Sequence, residues 1–279
     1  MDGAFVRILL ASEHTDFDSG AEAVALALAK RSGLPLHAVL PILSNPEFEM
    51  AAPQLAERAD EQAARSRQAL QALADAAGVA LQLRVRRGAE PFAEIVQAAR
   101  ELPADLIVLR RRGQRSFLAN LLVGEMVGKV LAHANCSVLL APRGAHLWRR
   151  AVLAGLDPQV PDAALLAQAV AMAAHHGLPL HLVCVAASEE SRPAAQQALA
   201  AALLQAGQAG QQVQGEVRVG RVHQELLAAA QMHGADLIVL ARHGPHNLGR
   251  AWIGGVAQKV IGLAECPVLV HVNSNSSAS

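Results

Sequence analysis

The chain has 279 residues, enough for about two domains of ordinary size, each able to bury a core of its own. Its 24 basic and 24 acidic residues cancel and form no long blocks, which leaves no electrostatic footprint for nucleic acid. No uncharged apolar stretch reaches membrane-spanning length and the start, "MDGAFVRILLASEH", lacks the order of a secretion signal, so a soluble cytoplasmic protein that binds neither nucleic acid nor membrane is expected.

In chain order, "VRILLAS", "LPLHAVLPI", "VALQLRV", "ADLIVLR" and "CSVLLAP" read as strands: short, rich in Val, Leu and Ile, and followed by breakers. Near-continuous apolarity suits strands covered on both faces, hence a parallel sheet. Between them, "AEAVALALAKRSG" keeps a helical period and ends in glycine, and "EPFAEIVQAARELP" carries an early proline and acid before its apolar stripe. Strand alternating with helix gives an open doubly wound sheet, whose ligands bind beyond the carboxyl ends of the strands.

The pattern then starts again. "GLPLH" occurs at 33–37 and 177–181, and "ADLIVL" at 104–109 and 235–240. Two echoes in one order mean a duplicated domain. The offsets are 144 (181 minus 37) and 131 (235 minus 104), so the first copy carries 13 extra residues (144 minus 131), assigned to the loop-like segment "LSNPEFEMAAPQL". Cys136 and Cys266 differ by 130, so one more residue enters the first copy after Leu109. The expected domains are 1–143 and 148–273, with a disordered tail over 274–279.

Each fourth strand runs into a glycine loop before a helix, "RRRGQRSFLANLLVGE" at 110–125 and "ARHGPHNLGRAWIGG" at 241–255. The first amides of a helix have no partner inside it and sit at its positive end, which suits a phosphate, and glycines let backbone approach. Glycine spacing alone is equally compatible with a plain strand-to-helix connection.

The whole chain apart from the tail resembles a tandem universal stress protein. The resemblance rests on "RILLASEHT" and "VLAGLDP" as first strands, the segments ending in "ADLIVL", and "CSVLL" and "CPVLV" as last strands. It implies two Rossmann-like domains, each an open five-stranded parallel sheet with helices on both faces, paired through their last strands. In one branch the family binds ATP by G-x2-G-x9-G-(S/T); another branch lacks the motif and binds no nucleotide.

Against that motif the second copy reads Ala241, Gly244, Gly254 and Gly255, with the nine-residue gap intact, an alanine for the first glycine and a glycine for the hydroxyl. A left-handed alanine would cost about 1 to 2 kcal/mol and the lost hydroxyl about 1 kcal/mol, leaving the amides of Gly254, Gly255 and Val256 as donors. Asp157 matches the family's acidic residue after the first strand, and Val185 the position that contacts the base. The first copy reads Arg110, Gly113, ten residues, Gly124 and Glu125, with Glu13 in the acidic position. A carboxylate about 4 Å from a phosphate would cost on the order of 4 kcal/mol, so this half is expected to have lost the nucleotide.

Other patterns read as structure. "GEMVGK" is one residue short of a P-loop and has Val130 where Ser or Thr must hold magnesium, so it is a helix start. "HHGL" at 175–178 is faintly similar to the adenylylating motif of class I synthetases but ends a helix instead of opening one. Ser12, His14 and Asp16 share one loop and read as a polar turn. His37 and His181 lie inside strands, and Cys136, Cys184 and Cys266 have no metal-ligand spacing, so packing roles and a reducing compartment are expected.

Two functions follow. One is a non-catalytic stress protein whose second half binds ATP or a related adenine nucleotide, with or without Mg2+, and signals through a protein partner or a homodimer. The alternative is a nucleotide-free interaction protein with both pockets decayed. An enzyme, at most slow in ATP hydrolysis, lacks a placed base or nucleophile. An apolar content of 52% favours association of two chains.

Overall fold

A computed structural model describes residues 4–44, 49–50, 53–111, 124–207, 211–242 and 253–272. The loop residues Gly113 and Gly244 and the tail lie outside them. The first half contains β1 (Ile8–Ala11), α1 (Ser19–Ser32), β2 (Leu36–Leu43), α2 (Pro53–Ala77), β3 (Leu81–Gly88), α3 (Pro91–Glu101), β4 (Leu106–Arg110), α4 (Glu125–His133) and β5 (Ser137–Ala141). The second contains β6 (Val152–Leu156), α5 (Ala163–His176), β7 (Leu180–Ala186), α6 (Arg192–Gly207), β8 (Val213–Val219), α7 (Val222–Met232), β9 (Leu237–Ala241), α8 (Gly255–Leu263) and β10 (Val268–His271).

The strands form one ten-stranded sheet in the order β3-β2-β1-β4-β5-β10-β9-β6-β7-β8. Within each half all neighbours are parallel, as the apolar strands required. The halves meet at an antiparallel seam, Leu139 opposite Leu269 with Leu140 opposite Val268, so the order reads the same from both ends about a pseudo-two-fold axis. Alternation of side chains sends Ile8 and Leu10 to one face and Leu9 and Ala11 to the other. One core lies under α1, α2, α5 and α6 and the second under α3, α4, α7 and α8, and both run unbroken across the seam.

The two echoes have physical reasons. Gly33 and Gly177 end α1 and α5 at φ of 64° and 63°, left-handed caps whose amides return to Lys30 and Ala174. Only glycine adopts that conformation without strain, hence the repeated "GLPLH". Asp105 and Asp236, in "ADLIVL", accept the amides that lead into the first strand of each half: Arg7 at 3.0 Å to Asp105, Arg149 at 2.8 Å and Ala151 at 3.2 Å to Asp236.

The extra length of the first copy differs from the sequence reading. Helix α2 has 25 residues and α6 has 16, so much of the surplus is helix and not loop, and Pro53–Leu55 of the proposed insertion lie inside α2. Proline is tolerated there because its missing amide falls in the first turn.

Candidate nucleotide site

Strand order reverses between β1 and β4 and again between β6 and β9, and the crevices open at the carboxyl ends of these pairs. In the first half the ladder runs to Ala11 opposite Leu109. In the second it stops at Ala154 opposite Val239, so Gly155 and Leu156 part from Leu240 and Ala241. Gly155 lets the Leu240 side chain pack close against the backbone here, since a Cβ would meet it at 2.6 Å.

Beyond the parted strands lies a cavity of about 170 Å³, lined by Gly155, Asp157, Pro161, Leu166, Gln205 and Ala241 on the α5 and α6 face. Asp157 is held by its own turn, its Oδ1 accepting the Gln159 amide at 2.8 Å. Val185, next to the end of β7, is buried among the core residues of the opposite face, so its side chain does not line this cavity.

Ala241 is the last residue of β9 and is not among the described residues with positive φ. The expected strain of a left-handed alanine is therefore absent. Gly254 caps α8 at φ −60° and ψ 142°, so it too needs no glycine-only conformation. Its amide donates to the Arg242 carbonyl at 2.9 Å and is not a spare donor, contrary to the sequence reading. The first bond into the helix runs from Gln258 to Gly254, which leaves Gly255, Val256 and Ala257 without an acceptor inside α8. Among the described residues outside its own helix backbone and chain neighbours, a Cβ on Gly255 would meet no atom within 4 Å.

The first half has a different arrangement. The Arg110 guanidinium, 19% exposed, spans the crevice and pairs with Glu13 at 2.9 Å and with Asp18 at 2.9 Å, while Nη1 also donates to Thr15 Oγ1 at 3.0 Å. Burial lowers the Arg110 pKa, but the Asp18 and Glu13 carboxylates outweigh it and the net shift is upward. Beside this network Ser12 Oγ donates to the buried Glu22 at 2.5 Å, and His14 Nδ1 contacts the same oxygen at 3.1 Å. His14 has φ 56°, so the loop of Ser12, His14 and Asp16 is a strained polar turn: the serine and histidine side chains both address Glu22, and the His14 amide donates to Ser12 Oγ at 2.9 Å.

Gly124 caps α4 at φ −53° and ψ 144°, nearly the geometry of Gly254. Glu125 is 82% exposed and pairs with Lys129 at 3.1 Å, so solvent and the ammonium screen its charge and the estimated repulsion shrinks. The cavity here, about 400 Å³, lies on the α3 and α4 face between Glu13, Phe92, Arg110, Gly124 and Lys129, and is not the counterpart of the cavity in the second half.

The remaining patterns are structural. Residues 124–129 open α4, and His175 and His176 close α5 before Gly177. His181 is buried and stacks on His233 at 4.2 Å, whereas His37 is only partly buried. Burial raises the thiol pKa to about 12 at Cys136 and about 11 at Cys184 and Cys266, and none is in a disulfide. Sequence reasoning passed over Asp18 and Glu22, whose partners are set by loop geometry. It did not set Arg111 beside Arg242, although arginine is repeated in "RRRG" and "ARHG".

The universal stress protein family model matches residues 5–142 and again 149–271. A universal stress protein from Thermus aquaticus, encoded in the 3' region of a QAH/OAS sulfhydrylase gene, is 37% identical over 142 residues, which span 49% of this chain and 98% of that protein. A universal stress protein structure from Archaeoglobus fulgidus superposes with a TM-score of 0.72 at 18% identity, covering 99% of this chain and 98% of that one. A putative universal stress protein from Pseudomonas aeruginosa gives 0.70 at 18% identity over 97% and 95%. With two matches on the two five-stranded halves of one sheet, the chain belongs to the universal stress protein family as a tandem of two such domains.

Proposed function

We propose that the C-terminal half binds one adenine nucleotide, ATP with or without Mg2+, and that the chain acts without catalysis through contacts with a protein partner or a second copy. The supporting observation is the contrast between the two crevices. At β6 and β9 the strands part, Asp157 stands at the opening, and three amides at the start of α8 have no acceptor within the helix. Helix dipole and amides favour phosphate at that end.

At β1 and β4 the corresponding space holds the Arg110 guanidinium, already neutralised by Glu13 and Asp18, which favours a nucleotide-free first half. Among the described residues no group of three or more His, Cys, Asp or Glu side chains could hold a metal, so Mg2+ would arrive on the phosphates. Mass spectrometry of small molecules released from the purified, denatured chain tests the reading: an adenine nucleotide at up to one per chain is expected. No bound nucleotide, together with no uptake at millimolar ATP, would transfer support to a nucleotide-free interaction protein.

A further inference from the structure

Arg111 and Arg242 stand 131 residues apart (242 minus 111), the offset of the two "ADLIVL" strands, and each directly follows the fourth strand of its half. Each reaches across the seam. Arg111 Nη1 donates to the carbonyl of Ile261 at 2.8 Å and to that of Ala264, the end of α8. Arg242 Nη1 donates to the carbonyls of Leu131 at 3.3 Å and Ala134 at 2.8 Å, the end of α4. The last carbonyls of a helix lack donors within it and form its negative pole, so a guanidinium there satisfies acceptors and complements the dipole together. Both guanidinia are partly buried, and desolvation lowers the pKa of each, so the carbonyls replace water that the charges have lost.

The exchange is symmetric, and in the second half it carries a further contact. The Arg242 carbonyl accepts the Gly254 amide at 2.9 Å, directly before the α8 amides assigned to phosphate. One residue thus grips the last turn of α4 with its side chain and the cap of α8 with its backbone. We infer that the N-terminal half is the anchor of the C-terminal ligand site: through Arg242 it holds the N-terminal end of α8 in place for binding. This assigns a task to a half in whose own crevice Arg110 pairs with Glu13 and Asp18. The effect on affinity rests on the nucleotide reading above; the effect on the α8 cap does not.

Hydrogen exchange read by NMR on the ligand-free full chain separates the two. In R242M the Gly254 amide exchanges about tenfold faster than in wild type, because its acceptor is no longer held. In R111M it stays within about twofold while the last turn of α8 loosens. R242K, with one compact ammonium in place of the fork, gives an intermediate rate and serves if R242M does not fold. In calorimetry with ATP, R242M weakens binding about tenfold and R111M leaves it within about twofold. Unchanged Gly254 exchange in R242M, or equal acceleration in R111M, overturns the anchor, since the latter would mean general loosening of the seam. If wild type takes up no ATP the nucleotide reading fails, and the exchange result alone decides the anchor.

Discussion

Arg110 joins parts of the first half that lie far apart in the sequence. It occupies the position of the family's first motif glycine, and Asp18, 2% exposed, depends on it for charge compensation. Restoring glycine would therefore strand a buried carboxylate: Arg110→Gly is expected to destabilise the chain by about 3 kcal/mol without creating a second nucleotide site. Chemical denaturation measures the first effect and calorimetry the second; a stable variant that binds an additional ATP would contradict the account. The sequence showed that arginine replaces glycine, but not what it meets, because Glu13 and Asp18 lie 97 and 92 residues away along the chain. Similarly, "ADLIVL" was legible as a repeat, whereas the clamp made by its aspartate depends on amides 98 and 87 residues upstream.

At the scale of elements, the strands and helices were legible because their apolar runs, glycine caps and early prolines are local signals. The long α2 was not, since proline and asparagine ahead of it read as loop while its exposed face carries little apolar pattern. Helix α5 carries a consequence for pH. His176, in its last turn, packs on Trp148 with ring centroids 5.0 Å apart. Burial, then the charges of Arg31 and His175, lower its pKa from 6.5 to about 4. The unfolded chain takes up a proton as pH falls through about 6.5 and the folded chain does not until about 4, so stability present above 6.5 is progressively lost across this window. The loss is on the order of 3 kcal/mol. Denaturant midpoints between pH 7 and pH 4 should fall in wild type and flatten in His176→Gln; an equal slope in both would remove His176 as the cause.

For the whole molecule, the duplication explains the architecture. The last strands β5 and β10 close the seam inside one chain, and the fully buried Val138, Leu139, Leu140, Val268, Leu269 and Val270 leave no unpaired strand there. A second copy must then use another surface. Exposed apolar residues such as Leu43, Met50 and Leu55, near the first half's extra length, favour such association. Light scattering at micromolar concentration is expected to give twice the chain mass, and a monomer throughout would contradict it.

The central claim is that one half of a duplicated fold binds nucleotide and the other does not. Titration calorimetry with ATP and Mg2+ on wild type, Gly254→Glu and Gly124→Glu tests it most directly. One site per chain is expected, abolished by the carboxylate at the start of α8 and unchanged by the carboxylate at the start of α4. Two sites per chain, loss of binding with Gly124→Glu, or no heat at millimolar ATP would contradict it.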